Sequence, residues 1–245
     1  MPRSRLFRNL KRKALEWSLP LPFTGRHIEY SLIAAGDDDP ARPSERLLDV
    51  ALQAVEEARK IDLSWLSSRM SASPRYPEIW PGEHYKLLAG LVVAHKPKRI
   101  VEIGTFQGLS ALAMKRSSAP GSELITVDII PWNEIRDTVF SPSDFEGTGL
   151  RQVVGDLSDE RFFSSFADTL SGSDLLFVDA PKNVIFETTL LRYLDTIQLP
   201  STALVVFDDI RVWDMLRIWR GIRRPKLDLT SFGHWSGTGI IDWNG

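Results

Sequence analysis

Three apolar runs in the second half of the chain each stop on an aspartate: Glu123–Asp128, Asp174–Asp179 and Ala203–Asp208, the last followed at once by Asp209. In open α/β sheets the carboxyl ends of the strands are where ligands bind, so acids collected there read as part of a site. A single aspartate in that position is ordinarily explained by helix capping or turn formation. Three in succession shift the balance toward function. An earlier run, Arg99–Ile103, carries Glu102 and leads into Gly104-Thr105-Phe106-Gln107-Gly108. Gly104 and Gly108 let the backbone bend sharply and approach a ligand where a Cβ would clash. Glu102 can accept hydrogen bonds, and Asp128, roughly 20 residues further on, is positioned for a ribose hydroxyl pair. These features would also suit a nicotinamide dinucleotide. That fingerprint needs Gly-x-Gly-x-x-Gly, however, and the run here is Gly104-Thr-Phe-Gln-Gly108-Leu-Ser.

The elements that must hold these residues follow from periodicity. Ser44 is a suitable N-cap for a helix to about Arg59, with Leu47, Leu48, Ala51, Leu52 and Val55 as its apolar positions. A second helix is predicted from about Gly82 to His95. From Lys98 the rhythm becomes strand, helix, strand: Arg99–Ile103, a helix over Leu109–Lys115, then strands at Glu123–Asp128, Gln152–Val154, Asp174–Asp179 and Ala203–Asp208. Buried strands separated by crossovers of this length predict a parallel sheet covered on both faces. Lys226–Trp235 and Thr238–Trp243, flanking Ser236-Gly237, read as an antiparallel hairpin. The expected domains are an N-terminal helical extension and cap over residues 1–81 and a catalytic domain over residues 82–245. The long loop Pro131–Gly149, with Trp132 and Phe140, is where a substrate lid would sit.

Composition narrows the class. A chain of 245 residues, 43% hydrophobic and 25% charged, can bury one sizeable core. Its net charge of −2 argues against nucleic acid as the main partner. With no cysteine, disulfides, thiolate nucleophiles and zinc–thiolate sites are excluded. No apolar run approaches the roughly 18 residues of a membrane span, and the basic N-terminus lacks the apolar stretch of a secretory signal. A cytoplasmic protein is expected. Within residues 1–17, Leu6, Phe7, Leu10, Ala14 and Trp17 recur at helical spacing among basic residues. A short helix packed on its own domain is the preferred reading, and contact with an anionic membrane surface is the alternative. His27, His84, His95 and His234 read individually as surface or packing residues, and most of the tryptophans as packing.

The run Val101-Glu-Ile-Gly-Thr-Phe-Gln-Gly-Leu-Ser110 resembles the first motif of class I S-adenosylmethionine-dependent methyltransferases. It is most similar to the O-methyltransferase branch with catechol, caffeoyl-CoA and macrocin-type sugar enzymes, and the resemblance extends from about Glu83 to the C-terminus. It implies a Rossmann-like α/β fold: a mostly parallel seven-stranded sheet with a C-terminal antiparallel hairpin and helices on both faces. The cofactor would lie on the turn Glu102–Gly108, including Thr105 and Phe106. Gly104 and Gly108 would line its methionine part, Glu102 would order the turn, and Ser110 would lie near the carboxylate. Asp128 would hold the ribose, and Gly155 and Asp156 would flank the adenine. In metal-dependent members an aspartate after the fourth strand joins an acidic pair after the fifth. The matching residues here, Asp179, Asp208 and Asp209, would hold Mg²⁺, and hard oxygen donors suit such an ion. Lys182 falls where catechol O-methyltransferase has its catalytic lysine, and desolvation would lower its pKa enough to take a hydroxyl proton beside Asp179.

The resulting expectation is a methyl transfer to a small-molecule or sugar hydroxyl. Two alternatives stay open: a metal-independent O- or N-methyltransferase using His84, His234 or Lys182 as base, and a non-catalytic cofactor-binding partner subunit. The aromatic-rich ends would support a homodimer.

Overall fold

A computed structural model of the protein describes residues 41–71 and 75–245. The amphipathic segment expected over residues 1–17 lies outside these, as do His27 and most of the turn-rich head. The first helix, α1 (Glu45–Ala58), is capped as expected: the Ser44 Oγ accepts a hydrogen bond from the Leu47 N–H at 3.2 Å. Its buried stripe is Leu47, Ala51, Ala54 and Ala58. Leu48 and Leu52, expected on that face, are exposed; the stripe is narrower than the sequence suggests because small alanines carry it. Helix α2 (Ser64–Ser67) is a single turn, and α3 (Tyr85–His95) starts three residues later than predicted. Leu47, Ala51, Leu63 and Leu66 share one core with Leu87, Leu88 and Leu91.

The rest of the chain builds β1 (Arg99–Ile103), α4 (Leu109–Ser117), β2 (Glu123–Asp128), β3 (Leu150–Val154), α5 (Glu160–Ser171), β4 (Leu175–Val178) and α6 (Ile185–Leu194). It ends with β5 (Leu204–Asp208), α7 (Met215–Gly221), β6 (Lys226–Asp228) and β7 (Thr238–Asp242). The seven strands form one sheet in the order β3-β2-β1-β4-β5-β7-β6. The first five are parallel, while β7 runs antiparallel to both β5 and β6. Alternate residues face opposite sides, as a period of two requires. Ile100, Leu124, Leu175, Phe177 and Val206 pack toward α1, α3 and α4. Val101, Ile125, Leu176, Val178 and Val205 pack toward α5, α6 and α7. The expected fold is observed.

Two expectations need correction. The C-terminal pair is not a tight hairpin about Ser236-Gly237, because β6 stops at Asp228 and residues 229–237 intervene. The Asp228 carboxylate accepts from the Thr230 N–H at 2.9 Å, which turns the chain out of the strand. That excursion pairs with the segment before α3: the Gly82 N–H donates to the Gly233 carbonyl, and the Trp235 N–H donates to the Gly82 carbonyl. The loop Pro131–Gly149 is not a free lid. Trp132, Phe140 and Phe145 pack on one another with centroids 5.1–6.0 Å apart, Trp132 stacked on Phe145 and edge-on to Phe140, and join the core on the α4 side. Arg69 bridges to Asp144 at 2.7 Å. Among the described residues, no helix is long and apolar enough to cross a membrane.

Candidate active site

From β1 the chain works outward through β2 to β3, then returns to place β4 on the other side of β1. The turns after β1 and β4 therefore diverge and leave a crevice at the carboxyl edge. Gly104 sits in this crevice with φ +102°, and a Cβ there would stand 2.0 Å from the Asp179 carbonyl oxygen. Only glycine permits both the backbone angle and the approach. The two turns are anchored to the sheet: the Gly104 N–H donates to Val127 O and the Asp179 N–H to Ile103 O, each at 2.8 Å.

Asp128, at the end of β2, orders the glycine turn. Its Oδ2 accepts from the N–H groups of Thr105 (2.8 Å) and Phe106 (3.1 Å), and its Oδ1 from the Ile130 N–H (3.1 Å). A cleft of about 670 Å³ opens alongside, within the range of small-molecule sites. Gly104, Phe106, Asp128, Gly155, Asp156, Asp179 and Lys182 line it, with Ile129, Leu157 and Phe186 as apolar walls.

The other residues expected at the cofactor lie behind the cleft. Strand pleat turns Glu102 toward α4, where its carboxylate accepts from Ser110 Oγ (2.5 Å) and Thr126 Oγ1 (2.6 Å) in complete burial. Burial pushes the Glu102 carboxyl up to about 8, against the opposing pull of those two hydroxyls. The Ser110 hydroxyl is committed to Glu102, and Thr105 Oγ1 is paired with Thr126 Oγ1 at 2.7 Å. Gly108 begins α4 with φ +91°, and a Cβ there would meet the Phe140 ring at 2.2 Å. Its lack of a side chain serves packing under the loop.

The acids after β4 and β5 converge. Ligand-capable oxygens of Asp179, Asp208 and Asp209 lie within 4.8 Å of one another. Lys182 reaches into the group, pairing with Asp179 and, at 2.9 Å, with Asp209. Burial alone would lower the Lys182 pKa, but Asp179 and Asp209 outweigh it and the net shift is upward. The expected lowering is thus reversed, because the lysine is surrounded by the carboxylates it was expected to assist. Asp179 is pushed up by burial and by Asp208. Burial would also raise Asp208, yet His84 and His234 hold it below the usual carboxylate range.

Those histidines are what the sequence undervalued. His84 precedes α3 and is buried, with Nδ1 3.3 Å from Asp208 Oδ1. His234 comes from the β6–β7 excursion, with Nδ1 3.2 Å from Asp208 Oδ2 and 3.3 Å from Asp209 Oδ1. Burial opposes its charge, but its hydrogen bonds to the Asp208 and Asp209 carboxylates dominate and push it up to about 10. Neither residue sits in a motif, so only the pairing of residues 82–84 with 233–236 could reveal them. His95 has a structural place, its Nε2 3.0 Å from the Asp174 carbonyl.

Backbone strain gathers at the same edge. Of the seven non-glycine residues with positive φ among those described, Phe106, Lys182, Val184, Asp209 and Trp213 lie here. Such angles cost on the order of 1–3 kcal/mol each and concentrate where geometry is functional. Val184, a β-branched residue at φ +72°, is held by Glu187, whose carboxylate accepts from the Lys182 and Val184 N–H groups at 2.8 Å each.

No family model and no curated protein matches the sequence. Among solved structures, the chain is similar to an S-adenosylhomocysteine-bound methyltransferase, PaMTH1, of Podospora anserina, with 21% identity over 80% of this chain and 88% of that one and a TM-score of 0.48. It is similar to the O-methyltransferase TomG from Streptomyces achromogenes in complex with S-adenosylmethionine, with 21% identity, 82% and 91% coverage and a TM-score of 0.47. It is also similar to MycE of the mycinamycin pathway, with Mg, S-adenosylhomocysteine and mycinamycin VI, with 19% identity, 51% and 31% coverage and a TM-score of 0.38. The strand order and the antiparallel β7 decide the architecture. The chain has a Rossmann-like α/β fold, a mostly parallel seven-stranded sheet with an antiparallel β7. In open α/β sheets ligands bind where the turns after neighbouring strands diverge, and the chain's cleft, glycine turn and Asp128 all meet there.

Proposed function

We propose that this protein transfers a methyl group from S-adenosylmethionine to a hydroxyl of a small molecule or sugar, assisted by Mg²⁺. One observation carries the reading. A single cleft joins a ribose-type carboxylate beside a glycine turn, Asp128 and Gly104, to the edge of an acidic cluster at Asp179. The carboxylates of Asp179, Asp208 and Asp209 fit a hard dication in donor type and spacing, and Asp208 Oδ1 is buried without a hydrogen-bond partner.

When bound, the cofactor supplies an electrophilic methyl group, and the cation supplies a Lewis acid that makes an acceptor hydroxyl more acidic. The chain's own residues do the positioning. Three backbone N–H groups fix the Asp128 carboxylate, so a hydroxyl pair would meet an acceptor already oriented. Ile129, Leu157 and Phe186 suit the faces of a planar base and exclude water. Lys182 draws Asp179 and Asp209 together. Trp213 and Trp235, both exposed and close in sequence to Asp209 and His234, suit an acceptor with an apolar or sugar face. A base working without metal would be Lys182, His84 or His234. Each faces carboxylates that keep its proton on, which weighs against the metal-independent alternative.

Calorimetry with S-adenosylhomocysteine, followed by turnover on a panel of phenols and sugars, tests the proposal. Absence of cofactor binding overturns it, and binding with no turnover across the panel favours the non-catalytic partner. If EDTA and Asp208→Ala each leave turnover unchanged, the metal part is wrong.

A further inference from the structure

Imidazole nitrogens as well as carboxylates meet at the end of β5, and an oxygen-ligated Mg²⁺ would leave them unused. We infer that His84, Asp208 and His234 form a site for a borderline divalent transition-metal ion of the Zn²⁺, Co²⁺ or Ni²⁺ class. This site is separate from the oxygen set of Asp179, Asp208 and Asp209, with which it shares only Asp208.

Four observations carry it. One donor atom from each of His84, Asp208 and His234 can be chosen so that all lie within 4.8 Å. Both ring nitrogens of His84 and Oδ1 of Asp208 are buried with no hydrogen-bond partner, although buried polar groups are nearly always satisfied. His84 is only 4% exposed at its side chain and Asp208 2%. His84 Nδ1 and Asp208 Oδ1 face each other 3.3 Å apart, and an ion bound between them would displace the imidazole proton. The spacing is the third observation. With bonds of about 2.1 Å, neighbouring donors of a tetrahedral ion stand about 3.4 Å apart. His84 Nδ1 stands 3.3 Å from Asp208 Oδ1 and His234 Nδ1 3.2 Å from Asp208 Oδ2, so the two rings flank the two oxygens of one carboxylate at separations of that size.

The surrounding shell is the fourth. With His234 Nδ1 toward Asp208, its Nε2 lies 3.5 Å from Glu83 Oε2. A carboxylate behind the far nitrogen of a ligating histidine fixes its tautomer and orientation. Glu83 and His84 are adjacent in sequence, and the pairing of Gly82 with Gly233 and Trp235 fixes both segments of backbone. The donor set then selects the metal. Two imidazoles and one carboxylate favour zinc and its neighbours in the first transition row, whereas Mg²⁺ prefers oxygen and water. Meanwhile the Lys182 ammonium pairs with Asp179 and Asp209, the two carboxylates this site does not use.

The test reads the metal alone and does not depend on methyl transfer. Chelator-treated full-length protein is titrated with Co²⁺, followed by its visible d–d absorption, and with Zn²⁺ in competition. One Co²⁺ per chain is expected, with nitrogen-ligated bands that Zn²⁺ abolishes and millimolar Mg²⁺ does not. Glu83→Gln should weaken Co²⁺ binding by about 10–100-fold, the range for an outer-shell partner. His234→Ala should weaken it further, and Asp179→Asn should leave it unchanged while weakening Mg²⁺. Circular dichroism checks that each variant folds; if His84→Gln does not, the spectra of wild type and His234→Ala decide. The inference is overturned if wild type binds neither Co²⁺ nor Zn²⁺. It is equally overturned if folded His234→Ala binds Co²⁺ as wild type does, or if Co²⁺ affinity follows Asp179 instead. Failure to bind S-adenosylhomocysteine would overturn the methyltransferase reading and leave the Co²⁺ result standing.

Discussion

Replacing Glu102 with glutamine should flatten the pH dependence of stability. Glu102 is fully buried, and its carboxyl rises from 4.5 to about 8 on folding. Between those values the folded chain keeps a proton that the unfolded chain has released. Stability therefore falls as pH rises through this window, and the loss is complete above about pH 8. At about 1.4 kcal/mol per pH unit, the full cost approaches 5 kcal/mol. The amide cannot ionise, and it keeps both partners, since the Ser110 and Thr126 hydroxyls can each donate or accept. Urea unfolding of wild type and Glu102→Gln at a series of pH values from 5 to 9 reads the difference directly and cancels the other titrating groups. The wild-type curve should fall below the variant's by about 1.4 kcal/mol per unit near pH 6–7, or roughly 3–5 °C in Tm for a domain of this size. Parallel curves across the range would refute the argument.

Three further outcomes follow from the site and its supports. Gly104→Ala forces a side chain into both a left-handed angle and the Asp179 carbonyl, so we expect a loss of at least about 3 kcal/mol, measured by chemical denaturation, together with loss of S-adenosylhomocysteine binding. Asp128→Ala removes the acceptor of three backbone N–H groups; calorimetry should show cofactor affinity reduced by about tenfold or more, with a smaller loss of stability of about 1–3 kcal/mol. Phe140→Ala should cost about 3 kcal/mol by vacating the space above Gly108, and hydrogen exchange should show faster opening of residues 131–149 than in wild type.

Much of the frame was legible locally. The five parallel strands were found within a residue or two, because all but the edge strand β3 are largely apolar runs bounded by turn residues. Ser44 announced α1 through its own cap. Gly104, Asp128, Asp179 and the Asp208-Asp209 pair were placed at the carboxyl edge of the sheet because strand ends and turn chemistry are local properties. Other features of the site have neighbours distant in sequence that no local pattern announces. Gly108 is small because Phe140 lies over it, and Ser110 is committed because pleat turns Glu102 toward it.

The sequence by itself therefore determined the order of strands and helices, the glycine turn and which acids stand at the carboxyl edge. Tertiary structure alone decided the electrostatics of that edge. Lys182 is held charged by Asp179, three residues before it, and by Asp209, which only the β5 turn brings against it. His84 and His234 meet on Asp208 because an excursion between β6 and β7 pairs with the segment before α3. The physical reason is range. Periodicity and turn chemistry act over a few residues and are written in sequence, whereas pKa and donor sets depend on charges within a few ångströms, which only the folded chain assembles.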